Sequence, residues 1–387
     1  MAGLTLPPYP HDRLTELRAV AEQVPGGIVD CSVGTPIDPM PAPVVRALAD
    51  AAPRATGYPA SIGSVPLREA ALGWIGRRFG IEVPLSGVVA CVGTKELVAS
   101  LPRVLSLRDP SRDTVLYPAI AYPTYEMGAV LAGLRPVPVP LDGEWRLDLS
   151  QVDPEDARRG LVLWINEPGN PTGAGLGPEG MQAAVAWARE HGIIVASDEC
   201  YAEFTWDDTG RPARPVTALA AGVHGVLAVH SLSKRSNMAG LRAGFVAGDE
   251  RLVSYLGEIR KHAGMMVPAP VQAAAAVALG DDDHVAEQRD RYAARRSVAL
   301  AGLRAAGLEH EGGTSTFYLW LRGAGDADGW AAARRLAGAG LLVAPGDLYG
   351  PGGSAHVRLS LTVEDDALAR ALGRLAGAAT HLSLIHI

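Results

Sequence analysis

Lysine is scarce in this chain of 387 residues: Lys95, Lys234 and Lys261 are its three lysines, and arginine supplies nearly all the positive charge. A mechanism that needs a lysine amine therefore has three candidates. Cysteine is equally rare, and Cys31, Cys91 and Cys200 stand far apart. An odd, scattered set excludes a disulfide framework and points to a reducing compartment, taken here as the cytoplasm. The cysteine spacing fits no zinc site and no His-Glu-x-x-His occurs, so no metal is expected. No apolar run reaches the length of a membrane span. Residues 267–279 are apolar but short, with two prolines at their start, which suits a buried helix. Residues 1–10 lack the basic and apolar regions of a signal peptide. A net charge of −7 gives nucleic acid and anionic membranes nothing to bind, so neither is expected as a partner. What remains is the composition of an ordered globular protein, long enough for two domains.

The middle of the chain alternates apolar strand-like runs with helical stretches. The strands expected are 88–92, 114–117, 135–139, 160–165, 193–197, 226–230 and 243–247, with helices at 95–105, 122–132, 178–191 and 250–262. This alternation predicts an α/β fold with a mostly parallel sheet covered by helices on both faces, over residues 45–280. After Leu279 the texture changes. Helices near 281–306, 328–336 and 364–376 and strands near 316–321 and 356–361 predict a smaller α+β domain. It is formed by both chain ends, 1–44 and 281–387. The first 44 residues show one short apolar run, 28–33, among proline-rich loops. Residues 381–387 follow the last amphipathic helix with an apolar run that no element needs, and are read as a tail foreign to the fold.

The chemistry gathers at strand ends. Ser231-Leu-Ser-Lys234-Arg-Ser-Asn-Met-Ala-Gly-Leu-Arg242 lies between two expected strands. A lysine flanked by hydroxyls, with an arginine eight residues on, suits an anchored phosphate compound: the amine can form an imine, and the serines and Arg242 can hold phosphate. Alone, such a lysine is ordinarily just solvated. Three further segments end expected strands on the same side of the sheet: Gly93-Thr-Lys95-Glu, Asn166-Glu-Pro-Gly-Asn170-Pro-Thr-Gly173 and Asp198-Glu-Cys-Tyr201. Each has an ordinary alternative, as a strand-to-helix turn, a tight turn and a helix cap. Together they mark the place where an α/β protein builds its site.

Over almost its whole length the chain resembles the fold-type I, pyridoxal-phosphate-dependent aminotransferases of class I and II. The lysine segment fits that family's signature. So do the intervals of 28, 36 and 8 residues that separate Asn170, Asp198, Lys234 and Arg242. The resemblance implies pyridoxal 5'-phosphate as cofactor, carried on Lys234. Asp198 then partners the ring nitrogen, and Asn170 and Tyr201 bond the ring oxygen. Gly93, Thr94, Lys95, Ser231, Ser233 and Arg242 form a phosphate cup, and Tyr122 stacks on the ring. Tyr58 reaches the phosphate from the neighbouring subunit of a homodimer. Gly34, Asn170 and Arg358 bind the substrate carboxylate, and the Asn170–Pro171 bond is expected to be cis.

More narrowly, Val92–Val98, Ala121–Glu126, Ala228–Lys234, Arg260–Gln272 and Val343–Gly353 resemble the actinobacterial N-succinyldiaminopimelate aminotransferases. These make a lysine and cell-wall precursor with glutamate as amino donor. The resemblance implies small amino and keto acids as substrates. An aminotransferase of other specificity, or a pyridoxal-phosphate lyase on the same fold, would share the cofactor residues. Lys261 and His262, the polar side chains of the stretch 261–268, either meet a distal substrate carboxylate or simply end a helix.

Overall fold

The computed structural model describes residues 9–385, and the side chains of residues 9–377. Most of residues 1–10, read as lacking a signal peptide, and the whole tail 381–387 lie outside the residues whose side chains are described. The chain divides into two units: residues 35–291 with 313–316, and residues 1–34, 292–312 and 317–387. Strand β1 (Val29–Asp30) belongs to the second unit.

The first unit is built on seven strands: β2 (Val88–Cys91), β3 (Thr114–Pro118), β4 (Arg135–Val139), β5 (Gly160–Asn166), β6 (Ile194–Asp198), β7 (Val226–Ser231) and β8 (Gly244–Gly248). Their order is β2-β8-β7-β6-β5-β3-β4. All neighbours run parallel except β8, which is antiparallel to both β7 and β2. The central strands are mostly apolar on both faces because alternate residues feed two cores. Val88, Ala90, Leu163, Ile165, Val226 and Ala228 enter one core, with helices Val65–Phe79, Gly177–Glu190 and Ala269–Gly280. Val89, Cys91, Val162, Trp164, Leu227 and Val229 enter the other, with helices Thr94–Arg108, Thr124–Leu131 and Glu250–His262.

The second unit carries a four-stranded antiparallel sheet of β9 (Leu308–His310), β10 (Tyr318–Gly323), β12 (Ala344–Pro345) and β13 (His356–Ser360), in the order β12-β13-β10-β9. The two-residue strand β1 pairs with β11 (Leu341–Leu342). Three expectations need correction. The first 44 residues hold more than loops, because Thr15–Glu22 is a helix that buries Leu17 and Ala21. The last helix is longer than expected, Asp365–Ile385. Lys234 stands not in an irregular loop but in a single helical turn, Leu232–Arg235, capped by the Ser231 side chain.

Candidate active site

Strand register places the chemistry-bearing loops on one sheet edge. Asn166 of β5 lies beside Asp198 of β6, and Asp198 beside Val229 of β7. Because β8 is antiparallel to its neighbours, its first residue, Gly244, lies beside both Ser231 of β7 and Cys91 of β2. The segments after Cys91, Pro118, Asn166, Asp198 and Ser231, and the one before Gly244, therefore emerge together. They carry Gly93–Lys95, Tyr122, Asn170, Tyr201, Ser233–Lys234 and Arg242.

Asp198, 6% exposed, ends β6 with its carboxylate inside the protein. Tyr125 donates its hydroxyl to Oδ2 at 2.9 Å, and the Cys200 N–H donates to Oδ1 at 3.2 Å. Burial pushes the Asp198 carboxyl up, opposed by hydrogen bonds from Cys200 and Tyr125 and by the positive charge of Lys234. A buried carboxylate served by these neutral donors is suited to a cationic group such as a protonated pyridine nitrogen. Asn166 secures the adjacent loop, with Nδ2 donating to the Asp198 carbonyl at 2.9 Å and Oδ1 accepting the Asn170 N–H at 2.8 Å. The Asn170–Pro171 bond is cis, as expected, and so is Glu167–Pro168. Tyr201 is buried, and the Tyr122 ring meets Tyr125 edge-on at 5.9 Å.

The other corner of the edge is built for an anion. Gly93, at φ +72°, precedes the fifteen-residue helix Thr94–Arg108 and caps it with backbone alone. A Cβ at Gly93 would lie 2.0 Å from an Arg242 guanidinium nitrogen, so only glycine lets the cation sit against the helix start. Arg242 takes a left-handed φ of +57°, and one guanidinium nitrogen donates to the Ala239 carbonyl at 2.8 Å. Ser231 Oγ accepts the Ser233 N–H at 3.1 Å. Glu96 fixes the helix start through a bidentate pair with buried Arg260 at 2.8 and 2.9 Å. Helix N–H groups, a guanidinium and two serines match a phosphate. The residues thus fit pyridoxal phosphate at both its polar ends. Among the described residues, no group of three or more His, Cys, Asp or Glu could hold a metal ion.

Within the second unit, Arg358 is buried in β13, with its guanidinium over the rings of Tyr318 and Tyr349 at 4.1 and 4.8 Å. It donates to the Ser32 carbonyl at 2.6 Å. A Cβ at Gly34 would lie 1.8 Å from the Tyr318 hydroxyl, which fixes glycine there. Tyr58 is 97% exposed. Lys261 lies in the last turn of helix Glu250–His262, 3.8 Å from exposed Glu258. Tyr125 and Asn166 lie in segments that the sequence marks, but neither had a role expected of it. Tyr125 sits three residues after Tyr122, one helical turn on, and that spacing was the available signal.

The family model of aminotransferase class I and II matches residues 27–375. A probable aminotransferase of Mycobacterium tuberculosis is 46% identical over 96% of this chain and 85% of its own length. A 4-dedimethylamino-4-oxo-anhydrotetracycline transaminase of Streptomyces rimosus is 44% identical over 96% of this chain and 99% of its own. An LL-diaminopimelate aminotransferase of Aquifex aeolicus is 35% identical, covering 96% of each chain. Among solved structures, a probable N-succinyldiaminopimelate aminotransferase from Thermus thermophilus superposes with a TM-score of 0.84 at 29% identity, covering 95% of this chain and 99% of its own.

Proposed function

Because this chain belongs to the class I and II aminotransferases, whose members depend on pyridoxal phosphate, we propose that Lys234 carries that cofactor at the sheet edge described above. One observation carries this reading. A buried carboxylate that feels the Lys234 charge, and a guanidinium seated against a glycine at a helix start, emerge from the same edge. In this reading Asp198 keeps the ring nitrogen charged, Asn170 and Tyr201 bond the ring oxygen, and Tyr122 stacks on the ring. Gly93, Thr94, Lys95, Ser231, Ser233 and Arg242 hold the phosphate. Tyr58 reaches it from the partner subunit of a homodimer, which its nearly complete exposure supports.

Pyridoxal phosphate, when bound, supplies an electron sink for the carbon that bears the amino group. Lys234 Nζ, once the substrate amine has displaced it, would take the proton from the substrate α-carbon and deliver it to the cofactor's C4′ position, the 1,3-shift that an aminotransferase needs. Arg358, with Gly34 and Asn170, receives the substrate carboxylate, since a guanidinium binds carboxylate in bidentate fashion.

For the substrate, we take the amino group to pass between glutamate/2-oxoglutarate and N-succinyl-LL-2,6-diaminopimelate, a step of lysine biosynthesis. The likeness to the Thermus thermophilus protein supports this; that to the LL-diaminopimelate aminotransferase supports a diaminopimelate skeleton and makes the free form a rival substrate. The Streptomyces rimosus relative, more similar in sequence, favours a cyclic ketone as the rival acceptor. Steady-state assays with both acceptors, succinylated and free diaminopimelate, and aspartate decide between them. The reading expects the highest kcat/KM with the succinylated substrate and 2-oxoglutarate. Release of ammonia with pyruvate, or of carbon dioxide, would replace it with a lyase.

A further inference from the structure

The residue after Lys234 has no part in the chemistry above, yet it is among the most firmly held in the first unit. Arg235 is 3% exposed. Its Nε lies 3.4 Å from Glu203 Oε1, and its Nη1 donates to the Ala278 carbonyl at 2.6 Å and to Ser236 Oγ at 3.2 Å. Its guanidinium also lies 5.6 Å from the Trp74 ring centre and 3.5 Å from Asp282 Oδ1. Glu203 is buried too. It accepts from Trp74 Nε1 at 2.7 Å and pairs with Arg78 at 2.8 Å. His284 contacts Ser236 Oγ at 2.9 Å and Asp281 at 3.1 Å, and His230 and Arg78 also feel the Arg235 charge.

The position of Glu203 gives the pair its meaning. It stands on the same connection as Asp198 and Tyr201, five and two residues beyond them. Arg235 stands on the turn that bears Lys234. The ion pair therefore bridges the segment holding the carboxylate and the segment holding the amine. Burying two charges is costly, and apolar side chains of similar size would pack the same gap at no lower stability. What the charged pair adds is direction: a planar fork against a carboxylate fixes orientation, which apolar contact does not.

We propose that Arg235 and Glu203 are positioning residues that hold the Lys234 amine in place relative to Asp198. The inference rests on the reading of Lys234 as the cofactor-bearing lysine. The test uses the full-length, cofactor-loaded protein and two variants, Glu203→Gln and Arg235→Lys, the second keeping the charge but not the fork. Three quantities are measured: the pH midpoint of the visible absorbance change, kcat with KM, and the thermal midpoint. In Glu203→Gln, kcat should fall about tenfold or more, with KM within about threefold of the parent. The absorbance midpoint should move by about half a pH unit or more, because the Lys234 amine would feel Asp198 differently. Arg235→Lys should show both changes, more weakly, while unfolding within about 5 °C of the parent. Folded, coloured variants with unchanged kcat and midpoint would overturn the proposal. So would the failure of both to fold, which would make the pair a stability element only. A colourless parent would instead refute the reading of Lys234 on which the inference depends.

Discussion

At the scale of single residues, Asp198 depends on neighbours that the chain brings from far away. Tyr125 reaches it across 73 positions, and removing that hydroxyl leaves a buried carboxylate one donor short. Tyr125→Phe should therefore cost about 1–3 kcal/mol of stability, read from urea unfolding, and should lower kcat more than it raises KM. Unchanged stability would show that the bond contributes nothing. Lys261→Ala tests the opposite kind of residue. An exposed pair with Glu258 is worth about 1 kcal/mol at most, so the substitution should leave stability nearly intact and affect both half-reactions alike. A loss of about 1.5–3 kcal/mol confined to the succinylated substrate would make Lys261 a distal carboxylate group instead. The positions of Lys234, Asp198, Asn170 and Arg242 at one sheet edge were legible in sequence because their roles attach to local motifs at fixed intervals. The contacts of Tyr125, Asn166, Glu203 and Arg235 were not, because their partners lie across the fold and neither partner alone marks the contact.

At the scale of elements, apolar strands declared themselves and their bounds shifted by a residue or so. The direction of β8 did not declare itself, since an apolar run reads the same in both directions. It matters, because the antiparallel course of β8 returns Arg242 to the edge where the Gly93 helix begins. The turn Leu232–Arg235 is too short to show helical periodicity, and the helix Thr15–Glu22 buries only two residues. The Gly93 corner can be tested directly. Gly93→Ala would place a Cβ against the Arg242 guanidinium and hold a side chain at φ +72°. Cofactor affinity should fall about tenfold or more, or about 1.4 kcal/mol, measured by titrating cofactor-free protein. Affinity equal to the parent's would mean that the corner does not hold the phosphate.

At the scale of the molecule, buried titratable groups beside the sheet should shape stability against pH. His230 Nε2 and Glu199 Oε2 stand 3.5 Å apart, and burial disfavours the charged form of both. Burial pushes the Glu199 carboxyl up to about 8 and the His230 imidazole down to about 3. Native Glu199 keeps its proton where the unfolded chain has lost it, between the ordinary glutamate value and about 8. The native state thus binds more protons, and stability falls as pH rises through that window. For His230 the unfolded chain binds the extra proton between about 3 and its ordinary value, so stability rises with pH there. Glu199→Gln should remove the first effect alone. The parent should lose stability relative to the variant from pH 5 to 8, by at most about 1.4 kcal/mol per unit. Parallel curves would refute the neutral buried acid. The central claim, that Lys234 bears pyridoxal phosphate, meets its most direct test in borohydride reduction of the purified protein followed by peptide mass spectrometry. With three lysines to distinguish, the account predicts a reduced pyridoxyl phosphate adduct on the peptide containing Lys234 and on no other. An adduct on Lys95 or Lys261, or an active protein with none, would contradict it.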